Sequence, residues 1–208
     1  MIDDEVSGMK ENILKVALGC VLLHSTGVAN AALVTVDFDG FVPTTLFSGG
    51  VEDGVVVGNI VGPVAVNSAY LGPFSAPNSI HHHQLGLASF SLAFADGRDF
   101  TLTSFFAGSA FGGADPLTLS GFSNGVLVGT DTYSPNPPLS YLFFTPVNLS
   151  GVEMDELVFD MGPAEFGPTH VDNIALNSIS VPDAGSTSAL LGLAMFAIVP
   201  LRRKLGLH

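Results

Sequence analysis

From Ala32 to Ser180 the chain alternates apolar with small or polar residues in short runs, and turn residues separate most of the runs. Leu33 to Phe38 opens the series. Val55-Val56-Val57 and Ile60-Val61 follow, then Leu85 to Phe94, Phe100 to Phe106, Leu117 to Phe122 and Val126 to Thr130. Tyr141 to Phe144, Glu156 to Phe159 and Val171 to Ile179 complete it. A period of two marks strands whose successive side chains face opposite sides of a sheet. Asn124-Gly125 between two alternating runs predicts a tight hairpin, and Asp96-Gly97 predicts a second turn. Ser75 to Gln84 (SAPNSIHHHQ) and Asp131 to Pro138 carry Pro and Asn and read as the longest loops. No run in this segment has a helical period. The pattern predicts an all-β, antiparallel β-sandwich or jelly roll over residues 32–180.

The two ends follow different rules. Lys10 and Lys15, an apolar run from Val16 to Leu23 and Ala29-Asn30-Ala31 have the order of a secretory signal peptide, cleaved at the Ala29/Ala31 small-residue site. Met9 is the expected start, because the acidic residues 1–8 fit poorly before such a segment. Residues 1–31 are therefore expected to form a signal helix that export removes. Cys20, the sole cysteine, lies inside it, so the domain that follows has neither disulfide nor thiol chemistry.

At the C-terminus, residues 181–208 read Val181-Pro182-Asp183-Ala184-Gly185-Ser186-Thr187, an apolar run, then Arg202-Arg203-Lys204. Pro182 biases the backbone around it towards an extended form, and Gly185 loosens it. The stretch 188–201 is helix-capable and short for a bilayer span, which takes about 20 residues. The basic cluster would stay cytoplasmic and stop transfer.

Charge narrows the partners. The chain carries six Lys and Arg against 19 Asp and Glu, a net charge of −13. Between Ala32 and Ser180, Arg98 is the only base of that kind. Such a domain cannot neutralise phosphates, so nucleic acid is excluded as a partner. With 47% hydrophobic residues, 16 Phe and no Trp, the chain has ample material for a core.

The ordered tail, VPDAGST, apolar segment and RRK, resembles the PEP-CTERM sorting signal in its VPD-x-G variant. That resemblance implies recognition through Val181, Pro182, Asp183 and Gly185 by an exosortase-like membrane protease or transpeptidase. It also implies transient anchoring in the inner membrane of a Gram-negative-type bacterium. Release to the cell surface or exopolysaccharide matrix would follow. A plain single-pass anchor is the blander reading of the same tail.

The later strands, through His170-Val-Asp-Asn-Ile-Ala-Leu, resemble the jelly-roll ectodomain common in PEP-CTERM proteins and carbohydrate-binding modules of that architecture. The resemblance implies extracellular polysaccharide as a partner and a structural Ca²⁺ between the first and last strands. The matching positions are Asp37, Asp39 and Asp172. Solvated turn residues explain the same acids.

The remaining candidates are weaker. His81-His82-His83 could ligate Zn²⁺ or Cu²⁺, but on extended backbone only His81 and His83 converge. A solvated loop is the expectation there, and His170 is expected to pack near the last strand. Glu153, Asp155 and Glu156 lie close in sequence, as glycosidase carboxylates can, but a solvated strand entry accounts for them. No nucleophile motif accompanies the Ser, His and Asp residues. The sequence thus predicts a non-enzymatic, exported surface protein, with a glycan-binding module as the alternative.

Overall fold

The structure is a computed structural model, and it describes residues 31–67, 77–109, 115–135, 140–163 and 168–179. The expected signal segment (with Ala29) and the tail from Val181 to Lys204 lie outside these residues.

Among the described residues, twelve strands form two antiparallel sheets. In the first, β10 (Ser140–Phe144), β7 (Phe100–Ser109), β12 (Thr169–Ser178), β5 (Ser79–His82) and β4 (Val64–Asn67) lie in that order. β1 (Ala32–Val36) also pairs with β12. The second sheet runs β2 (Gly50–Glu52), β3 (Val55–Val61), β6 (Ser89–Phe94), β11 (Glu156–Asp160), β8 (Leu117–Ser123) and β9 (Val126–Tyr133). The all-β sandwich expected from the alternation is what the chain forms.

One core fills the space between the sheets. Ile80, Phe105, Val171 and Leu176 from the first sheet meet Phe90, Leu92, Leu119, Leu157 and Phe159 from the second. Ring pairs cross the interface. Phe105 meets Phe159 edge-on at 5.8 Å, and Phe94 meets Phe100 at 5.7 Å. Burying most of these Phe rings supplies the core of a domain that has no disulfide.

The predicted turns act differently from each other. Asn124 (φ 52°) and Gly125 (φ 73°) close the β8–β9 hairpin between the paired residues Ser123 and Val126. Both φ values are positive, as the tightest right-twisted hairpins require. The Asp96-Gly97 turn instead carries the chain from β6 in one sheet to β7 in the other. There the Asp96 carboxylate accepts from the Arg98 guanidinium and the Arg98 backbone N–H.

Two expected loops are corrected. Within 75–84, residues Ser79–His82 are strand β5, paired on one side with β4 and on the other with β12. His81 and His82 are accordingly buried, not solvated. The loop expected from Asp131 begins later, because Asp131 to Tyr133 belong to β9. In both cases neighbouring strands supply burial that local polarity does not announce.

β12 holds the first sheet together. It pairs with β7 from Thr169 to Asp172 and from Ala175 to Ser178, while its other edge is shared between β5 at His170 and Val171 and β1 from Ile174 to Ser178. The division falls where the register with β7 shifts after Asp172, and Asn173 there has φ 46°. That is a bulge, which leaves one residue unpaired and bends the strand.

Candidate functional site

Val171, Ile80 and Ala107 face the core, so their chain neighbours point the other way. On that outer face a row runs Tyr141, Gly108, His170, His81, Ala65, each paired with the next. The rings of His170 and His81 stack at 4.5 Å with 17° between planes. His83, two residues along β5's path, adds a ring 6.1 Å from His81. Tyr141 meets His170 edge-on at 6.4 Å, across the space that Gly108 leaves without a side chain. Ser79 Oγ lies 3.3 Å from His170 Nδ1.

Burial sets the charge state of this row. It lowers the pKa of His81 to about 4, helped by His83, and holds His170 well below the ordinary imidazole value, helped by His81. Burial, and secondarily the Asp172 carboxylate, pushes the Tyr141 phenol up. The row is thus a set of neutral polar rings at neutral pH. Below it, Asp172 and Phe143 both pair with Phe106, and the Phe106 and Phe143 rings sit 5.2 Å apart. Phe143 is 58% exposed.

The sequence-predicted residues fall as follows. His81 and His83 do share a face, and β12 brings His170 to them from 89 and 87 residues away in sequence. Asp37 Oδ1 accepts the Asp39 N–H, and Asp39 Oδ1 accepts the Asn78 N–H. Asp172 is fully buried and accepts the Asn173 N–H at 2.8 Å. Among the described residues, no three carboxylate, imidazole or thiol groups gather as a metal-holding set. Asp155 accepts the Asn124 N–H in the β8–β9 turn, and Glu156 accepts from the side-chain amide of Asn59 in the irregular part of β3. Ala31, the first described residue, is exposed just before β1.

Glu52 is the acid that the sequence reading passed over. Its carboxylate is buried and accepts the N–H groups of Phe38 (2.8 Å) and Gly40 (2.7 Å), fixing the turn that carries Asp37 and Asp39. Its place on the short strand β2 gives no local cue to that role.

Comparison with known proteins bears mainly on the tail. Residues 180–205 match the VPDSG-CTERM motif. The match places a PEP-CTERM-type sorting tag on this chain. No curated protein matches it. Among solved structures, the arabinose-bound α-L-arabinofuranosidase MgGH51 has a TM-score of 0.44 at 14% identity. The alignment takes in 74% of this chain and only 27% of that enzyme. A family 29 carbohydrate-binding module aligns with a TM-score of 0.44 at 15% identity, over 72% of this chain and 89% of its own. A mutant of such a module, complexed with mannohexaose, gives 0.43 at 12%, over 72% and 92%. At these scores nothing about ligand or activity passes from those proteins to this one.

Proposed function

We propose that this chain is a non-enzymatic protein, exported and then sorted to the cell surface or extracellular matrix by an exosortase-like membrane protease. The observation that carries the reading is the ordered tail matched over residues 180–205. In it Val181, Pro182, Asp183 and Gly185 form the recognition segment, the stretch 188–201 anchors transiently in the inner membrane, and Arg202, Arg203 and Lys204 stop transfer. The Ala29/Ala31 site is where the leader is removed. The non-enzymatic part draws support from Asp155 and Glu156, whose carboxylates are engaged by Asn124 of the β8–β9 turn and Asn59 of β3.

Mass spectrometry of the surface fraction tests this. The expected mature species lacks the first 31 residues and ends near the VPD segment. Surface protein intact through Lys204 overturns the sorting role.

A second reading, glycan binding, is favoured by one feature. Tyr141 and exposed Phe143 share the outer face of edge strand β10. Exposed aromatic faces suit the apolar faces of hydroxyl-rich ligands. Phe143→Ala is expected to abolish retention on a matrix-polysaccharide column, and unaltered retention removes this surface from consideration.

A further inference from the structure

The inner face of the first sheet is apolar until its last row. One row runs Val66, Ile80, Val171, Ala107, Leu142, all apolar, through successive pairs. Two residues further on, the inward positions are Val64, His82, Thr169, Ser109 and Ser140. His82 and Thr169 are fully buried there.

The second sheet presents a carboxylate to the same end. Leu117 and Leu119 of β8 face the core, and Asp115 continues their alternation two residues earlier. It is 3% exposed. Gly162 gives it room: a Cβ at that position would stand 2.9 Å from the Asp115 Cβ, and the φ of +70° also disfavours any larger residue.

Three buried polar groups, from β5, the lead-in to β8 and β12, thus lie at this end of the sandwich, and Asp115 is near enough to His82 to act on it electrostatically. Asp115 Oδ2, Thr169 Oγ1 and both ring nitrogens of His82 lack hydrogen-bond partners. The Gly86 backbone lies near His82 and opposes the lowering of its pKa by burial, as do Asp115 and Asp160, but without hydrogen-bond geometry. Buried polar atoms are nearly always satisfied, and a native exception points to a water or an ion. A metal ion would satisfy the carboxylate oxygen, the hydroxyl and an imidazole nitrogen together. Arg98, the one Lys or Arg of the domain, is occupied by Asp96 in the β6–β7 turn.

We propose that this end of the sandwich binds a first-row divalent metal ion of the Zn²⁺ type. The His82 imidazole, the Asp115 carboxylate and the Thr169 hydroxyl hold it, with water completing the shell. An imidazole nitrogen in the set favours such an ion over Ca²⁺, which takes oxygen ligands. With two strong ligands, the site is more open than a closed four-ligand structural centre. A bound ion would clamp β5 and β12 of one sheet to β8 of the other, where the core ends.

The test is Zn²⁺ titration of the chelator-treated full chain, followed by calorimetry and thermal unfolding. The expected result is saturable binding with a raised Tm, and a Co²⁺ visible absorption band that Zn²⁺ displaces. Asp115→Asn should weaken binding at least about tenfold and remove the Co²⁺ band. Asp53→Asn, on the exposed β2–β3 turn, should leave both intact. Thr169→Val is nearly isosteric and should weaken binding in the same way, a second reading should Asp115→Asn fail to fold. Absence of any Zn²⁺-dependent shift overturns the proposal. So does a shift that survives both Asp115→Asn and Thr169→Val, or one that Ca²⁺ alone reproduces.

Discussion

Single side chains hold loops that carry no regular structure. Asp131 is the clearest case. Its carboxylate is 4% exposed and accepts three successive backbone N–H groups, from Val147 (2.9 Å), Asn148 (2.9 Å) and Leu149 (3.1 Å). Burial alone would raise its pKa, but the three donors together lower it. That grip presents Leu149 to the β8–β9 hairpin, where Gly121 and Gly129 pair. A Cβ on Gly129 would come within 2.8 Å of Leu149 Cδ2, so the glycine pair forms the floor on which the buried leucine rests. Asp131→Asn keeps the size but turns one acceptor into a donor facing N–H groups. We expect a loss of roughly 2–3 kcal/mol in urea unfolding, against no change for Asp53→Asn. An unaltered midpoint would mean that Leu149, not Asp131, fixes the loop. Because the folded pKa is lowered, the contribution of Asp131 is present above its ordinary value near 3.8 and is lost as pH falls below it.

At the scale of elements, legibility in the sequence followed how local the cause was. The β8–β9 hairpin was legible because Asn124 and Gly125 specify their own backbone angles, whatever surrounds them. The long alternating strands β6, β7, β8 and β12 were legible because each exposes its period over six residues or more. β5 was not. Four residues, three of them polar, give no alternation to read, and the strand exists because β4 and β12 flank it. β4 was missed for a related reason, since Gly62 and Pro63 directly precede its four residues. The candidate site inherits this limit. His81 and His83 could be placed on one face from spacing alone, but His170 joins them only through the β5–β12 register. The inward row that holds His82 and Thr169 is likewise a product of long-range pairing, and so is the approach of Asp115 from the other sheet. The tail was legible without any structure, because its order of motif, apolar run and basic cluster is itself the signal.

The whole molecule combines an acidic chain with imidazoles buried in neutral form, and the two respond to pH in separable ranges. His81, His82 and His170 all have folded pKa values below the ordinary 6.5, chiefly through burial, with His81 near 4. In the unfolded chain they take up protons near pH 6.5. The unfolded state therefore binds more protons than the folded one as pH drops below that value, and stability must fall with it. Each such group contributes a slope of about 1.4 kcal/mol per pH unit once the unfolded imidazole is protonated. Ordinary carboxylates titrate near 4, so between pH 6.5 and about 5 the net negative charge hardly changes through them. Relief of self-repulsion among the acids, which would act in the opposite direction, begins only lower down. We accordingly expect the urea midpoint, at constant ionic strength and with chelator present, to be level above pH 7. It should decline steadily from 6.5 to 5. His81→Gln, which keeps polarity but removes titration, should shallow that decline by about one proton's slope. A midpoint independent of pH across this range would show that the histidine rows take up protons without unfolding. The buried imidazoles of the first sheet would then carry charge under mildly acidic conditions.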